Sequence, residues 1–145
     1  MFEKILVLCT GNICRSPMAE ALLRHQLETL GRKAEVRSAG VGALRDYPAD
    51  APAQELMRAR GLDISAHRAR QVTPELARWA DLILVMESRQ REAMIDIDPA
   101  ARGKTYLLGH WIKREVPDPY QQPATVYDQA LGLIDESLAS WMKKL

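Results

Sequence analysis

The run Ile5-Leu6-Val7-Leu8 is apolar at every position and is followed at once by Cys9, Gly11 and a Ser16-Pro17 pair. A strand with one face in water alternates polar and apolar residues, whereas a strand covered on both faces does not. The run is too short to span a membrane. Residues 4–8 are therefore predicted as a buried strand of a parallel sheet, and residues 82–86 repeat the pattern. Residues 34–38 and 104–108 complete a set of four strand-length segments.

Helical patterns fill the intervals. Ser16-Pro17 places proline in a first turn, Met18, Leu22, Leu23, Leu27 and Leu30 recur at helical spacing, and Gly31 stops the segment. A second helix is predicted over residues 51–60, with Asp50 as its cap and Gly61 at its end. Thr73-Pro74 opens a third and Ser88 a fourth. The last carries Val126, Ala130, Leu133, Ile134, Leu138 and Trp141 on one stripe. Residues 41–48 and 115–125 read as the longest irregular stretches.

Strand–helix alternation of this kind predicts an α/β fold, a four-stranded parallel sheet of order 2-1-3-4 with helices on both faces. Residues 1–145, without linker or repeat, are expected to form one domain. In such sheets ligands bind beyond the carboxyl ends of the strands where the order reverses, which is beside strand 1. Topology alone thus nominates residues 9–16.

Composition narrows the chemistry. The net charge of +1 gives no nucleic-acid footprint, and 47% apolar with 27% charged residues is ordinary for a globular chain. No segment reads as a secretory signal or a membrane span, so the protein is expected in the cytoplasm, where thiols stay reduced. Two cysteines five positions apart do not make a disulfide framework. His25, His67 and His110 lack the spacing of a metal site. No metal or cofactor is expected.

The loop reads Cys9-Thr10-Gly11-Asn12-Ile13-Cys14-Arg15-Ser16. It joins a buried strand to a helix N-terminus, whose unpaired N–H groups and partial positive charge suit a phosphate dianion. Gly11 would permit the tight turn and Asn12 tolerates a positive φ. Arg15 would add a fork for two phosphate oxygens. The N–H groups that attract phosphate also favour a thiolate, so Cys9 can attack phosphorus and form a phosphocysteine. Ser16 could donate to its sulfur and help it leave. Cys14 is close enough for a reversible disulfide protecting Cys9 from irreversible oxidation, or is a small buried residue. Pro117-Asp118-Pro119 is by itself either a stiff turn or a held carboxylic acid.

The stretch Leu8-Cys9-Thr10-Gly11-Asn12-Ile13-Cys14-Arg15-Ser16-Pro17 resembles the signature of the low-molecular-weight protein tyrosine phosphatases. The resemblance continues through Ser38-Ala39-Gly40, through residues 66–72 and through Pro117-Asp118-Pro119-Tyr120. Gly109-His110-Trp111 and the Leu44 region are most similar to the bacterial Wzb-type subgroup. The resemblance implies Cys9 as nucleophile, Arg15 as phosphate clamp and Asp118 as general acid, then base. Thr10, Gly11, Asn12, Ile13, Cys14 and Ser16 would form the phosphate loop, with Ser38 and His67 supporting it together with Asn12. Leu44 and Tyr120 would rim the slot for the substrate ring. Many members carry an aromatic residue near Leu44 and a second tyrosine where Gln121 stands, so this rim is more aliphatic. Tyr47, in the same variable loop, has no assigned place. The implied substrate is a phosphotyrosine protein, a membrane tyrosine kinase governing capsule or exopolysaccharide export, and the implied enzyme is monomeric.

Three other readings share these residues. Arsenate reductases can use the same loop, but a relay within this chain would need a cysteine after Cys14, and there is none; coupling to an external thiol remains open. Related arginine phosphatases carry threonine where Ile13 stands. A phosphotyrosine-binding module without turnover would lose the cysteine, the arginine or the acid, and all three are present.

Overall fold

The computed structural model describes residues 2–145. In chain order its elements are β1 (Lys4–Cys9), α1 (Arg15–Thr29), β2 (Glu35–Gly40), α2 (Ala51–Arg58), α3 (Pro74–Trp79), β3 (Leu82–Val85), α4 (Ser88–Ile97), β4 (Thr105–Leu107) and α5 (Ala124–Met142). The four strands form one parallel sheet of order β2-β1-β3-β4, as the alternation predicts. Among the described residues no helix is long and apolar enough to cross a membrane.

Successive side chains of a strand point to opposite faces, and the two faces of β1 and β3 enter separate cores. Ile5, Val7, Leu82 and Leu84 pack with Leu23 and Leu27 of α1 and with Ile134, Leu138 and Trp141 of α5. Leu6, Leu8, Ile83 and Val85 pack on the other side with Ala77 of α3 and Met94 of α4. All eight strand residues are fully buried, which explains the absence of polar alternation. Each such side chain contributes about 1.5–3 kcal/mol on burial, so the paired strands form a stiff base for the loop that leaves β1.

Several elements differ from expectation. β2 runs two residues further, to Gly40, because Cys9 pairs with Gly40 at the end of the β1 ladder. A Cβ on Gly40 would come within 2.4 Å of the Thr10 carbonyl oxygen, so only glycine lets β2 pass this close to the loop. β4 is shorter than predicted, since residues 99–104 form a 3-10 turn before it. On α5 the buried line is Tyr127, Ala130, Leu131, Ile134, Leu138 and Trp141, while Val126 and Leu133 are only half-buried. Irregular chain is also longer than expected between α2 and α3, over residues 59–73, a stretch that carries His67 and Arg70.

Asp50 precedes α2, but its side chain makes no capping bond. Its carboxylate accepts instead from the Tyr127 hydroxyl and lies 3.7 Å from Cys14 Sγ. A buried tyrosine hydroxyl needs a partner, and here that need draws the carboxylate away from the helix end.

Candidate active site

Residues 9–14 curl between β1 and α1, and every carbonyl of the curl is turned outward to a donor elsewhere. Val41 N–H donates to Cys9 O at 3.0 Å, Gly42 N–H to Thr10 O at 3.0 Å and Leu44 N–H to Gly11 O at 3.0 Å. His67 Nε2 lies 2.7 Å from Asn12 O, Asp50 N–H donates to Ile13 O at 2.8 Å, and Met18 N–H to Cys14 O at 3.3 Å. Among the described residues the N–H groups of Gly11, Ile13, Cys14 and Arg15 have no protein acceptor. Unpaired donors gathered in one turn at a helix start make an anion site.

Asn12 takes the positive φ of the turn, at 60°. Gly11 does not need one, and a Cβ there would meet only Ile13 and Leu44 side chains at 3.7 Å. The expectation that Gly11 makes the turn possible is corrected accordingly: Asn12 takes the left-handed conformation of the turn. Asn12 is held on all sides. Its Oδ1 accepts from Arg70 N–H at 3.0 Å, and its Nδ2 donates to Ser16 Oγ at 2.8 Å and Ser38 Oγ at 3.0 Å. Ser38 in turn donates to Glu20 at 2.6 Å.

Cys9 Sγ lies 2.9 Å from Ser16 Oγ and accepts from Asn12 N–H at 3.3 Å. Because Ser16 Oγ already accepts from Asn12, its hydroxyl proton is available to the sulfur. Arg15 is 1% exposed. Its Nη1 donates to Glu87 Oε2 at 2.6 Å and to Val116 O at 2.8 Å, while its Nε has no partner. The Nε–Nη2 edge is thus left for a ligand, the edge that matches two oxygens of a tetrahedral anion. Burial works against the Glu87 charge, but the hydrogen bond and charge of Arg15, with Arg89, outweigh it and hold this carboxyl below the usual range. Asp118 Oδ1 accepts from Tyr120 N–H at 3.0 Å, and Oδ2 stands 3.9 Å from Arg15 Nη2.

These groups line one pocket of about 210 Å³ with mostly apolar walls. It includes Cys9, Arg15, Leu44, Asp118 and Tyr120. Ser38 and His67 lie outside the pocket lining, and each is bonded to Asn12. Tyr47 does not line the pocket and is exposed. The arrangement can hold a phosphate monoester with a flat organic group, a sulfur facing phosphorus and a carboxyl group beside the ester oxygen.

The sequence profile of the family described as low molecular weight phosphotyrosine protein phosphatase matches residues 4–145. The chain belongs to that family. Within this phosphatase family it is of the bacterial Wzb type. It is 44% identical over 146 residues to the low molecular weight protein-tyrosine-phosphatase Wzb of Salmonella typhimurium, covering 100% of this chain and 95% of that one. The structure of Wzb from Vibrio vulnificus in complex with benzylphosphonate superposes with a TM-score of 0.93 at 45% identity over 100% of both chains. Wzb from Escherichia coli K30 in complex with sulphate gives 0.92 at 45% identity over 99% of both. As a member of a phosphotyrosine phosphatase family, the chain is an enzyme of that class.

Sequence reasoning did not find Glu87, Gln90, Val116, Asp50 or Tyr127 as parts of the phosphatase site. Glu87 and Gln90 stand at N-cap and N3 of α4 and form a reciprocal capping box. That pattern marks a helix start in the sequence. It carries no sign that Glu87 reaches Arg15, which is 72 residues away in the chain.

Proposed function

We propose that this phosphatase hydrolyses phosphotyrosine in two steps through a phosphocysteine. Cys9 thiolate attacks phosphorus, the bond from phosphorus to the phenol oxygen breaks, and Asp118 gives its proton to that oxygen. Water then attacks phosphorus and passes a proton to Asp118. The sulfur–phosphorus bond breaks and the thiolate returns, aided by the Ser16 hydroxyl. Arg15 and the loop N–H groups meet the equatorial oxygens in both steps, the electrostatic contribution that usually dominates such transfers.

The observation that carries this reading is the outward turn of all six loop carbonyls around Cys9. It leaves donors, and no acceptors, to face an anion. A thiol-coupled reductase would be helped by a second thiol near Cys9. The nearby Cys14 is held protonated, its thiol pushed up to about 12 by burial and the Asp50 charge.

The substrate is read as an autophosphorylating membrane tyrosine kinase that controls capsule or exopolysaccharide production, with the phosphatase working as a cytoplasmic monomer. Likeness to Wzb-type enzymes supports this choice, together with a pocket of about 210 Å³ walled in part by Leu44 and Tyr120. The test is release of phosphate from a purified, tyrosine-phosphorylated kinase of that type, compared with phosphoserine and phosphoarginine proteins. Preferential loss from phosphotyrosine is expected; preference for phosphoarginine would overturn the substrate class.

A further inference from the structure

Gln90 is 1% exposed, in the first turn of α4, and every polar atom of its amide is engaged. Its Oε1 accepts from two backbone donors, Met86 N–H at 2.9 Å and Glu87 N–H at 3.0 Å. Backbone N–H groups can only donate, so the oxygen must face them and the amide cannot flip. Both protons of Nε2 are thereby directed to the other side. One reaches Thr10 Oγ1 at 3.1 Å, in the phosphate loop, and the other Glu87 Oε2 at 3.3 Å. That same Glu87 oxygen holds Arg15 Nη1 at 2.6 Å.

We infer that Gln90 is a positioning residue for phosphate binding: its amide, oriented by the β3–α4 backbone, fixes the Glu87 carboxylate that aims Arg15 and ties that clamp to Thr10 of the loop. The inference rests on the proposed role of Arg15 as phosphate clamp. A helix cap alone would need only the two bonds to Oε1. The two Nε2 bonds add nothing to the cap and connect Thr10 of the loop to the carboxylate that holds Arg15. Without them the Glu87 carboxylate gains rotational freedom, and the free Nε–Nη2 edge of Arg15 loses its fixed angle. A transfer reaction depends on such fixed geometry.

The test is competitive inhibition by inorganic phosphate during aryl phosphate hydrolysis. Measurements are made on the wild type, Gln90→Met, Glu87→Ala and the double variant. Thermal melts establish that each is folded. Gln90→Met is expected to weaken phosphate inhibition by about tenfold, the scale of a lost hydrogen bond to a charged group. In the Glu87→Ala background the same substitution should change it by less than about twofold, because the link to Arg15 is already cut. Should Gln90→Met fail to fold, Gln90→Asn carries the same comparison, since its amide is one methylene too short to keep all four partners. Unchanged inhibition in the folded single variant, or an equal loss in both backgrounds, would overturn the inference. Arg15→Ala separates the two levels: if it leaves phosphate inhibition intact, the clamp reading itself fails.

Discussion

Cys9 and Cys14 lie in one loop, both buried and both lining the pocket, yet the groups bonded to their sulfurs differ. Cys9 faces the pocket, within reach of one backbone N–H and one hydroxyl proton, with an arginine edge nearby. Cys14 Sγ sits 3.1 Å from Tyr127 Oη and 3.7 Å from Asp50 Oδ2. Burial and then the Asp50 charge raise its pKa to about 12, and the Tyr127 hydrogen bond offsets only part of this. Tyr127 is itself pushed well above the ordinary phenol range by burial and by bonding to Asp50. Cys14 is thus held as a thiol by burial and a neighbouring carboxylate, whereas hydrogen-bond donors face the Cys9 sulfur.

The sharpest way to break this contrast is exchange of each sulfur. Cys9→Ser is expected to abolish aryl phosphate turnover while retaining phosphate binding. Cys14→Ser, which leaves the backbone donor in place, is expected to cost no more than about tenfold, the scale of one weakened hydrogen bond. Substantial hydrolysis by the first variant would remove Cys9 as nucleophile. Asp118→Ala tests the pocket side of the contrast. A fall in kcat of about 10²–10⁴ with aryl phosphates is expected, and a near-normal rate would take the acid role from this carboxyl.

Alkylation reads the two thiols directly. A rise from 9.0 to about 12 makes the Cys14 thiolate about a thousandfold scarcer than that of an ordinary thiol below pH 9. Iodoacetamide at pH 8, followed by peptide mass spectrometry, should label Cys9 and leave Cys14 unmodified. The same scarcity makes a rapid Cys9–Cys14 disulfide unfavourable. Recovery from peroxide with a thiol reductant should then be equal in the wild type and Cys14→Ser. Recovery confined to the wild type would show that the loop opens far enough to free Cys14.

The smallest effect concerns Glu87, which belongs to the Cys9 side through Arg15. Its folded carboxyl lies below its ordinary value of 4.5, so the associated stability is present above that value and is lost as pH falls through the folded one. Wild type is therefore expected to be more stable than Glu87→Gln at neutral pH. The two melting curves should converge in strong acid, once the folded carboxyl is protonated. A gap that persists in strong acid would mean that the Glu87 charge is not its source.

What could be read from the chain was whatever depends on near neighbours. The unbroken apolar runs identify strands covered on both faces, Pro17 marks a helix start, and Asn12 accepts a left-handed turn; the structure contains all three. Asp50 shows the limit of that logic. Its position suits a cap, and it does stand at the N-cap, but a phenol 77 residues away takes its carboxylate. Gly11 shows another, since its neighbour adopts the demanding conformation.

The linear order of residues thus determined the sheet and the loop and, with the family resemblance, nominated Cys9, Arg15 and Asp118 as the principal side chains. Only the folded chain decided which partners hold them. Glu87 and the Val116 carbonyl select the free edge of Arg15, while Gln90 bridges to Thr10 across 80 positions. The reason is physical. Periodicity and turn preference act over a few residues, whereas a hydrogen bond between distant segments exists only after the sheet has brought them within bonding distance of one another.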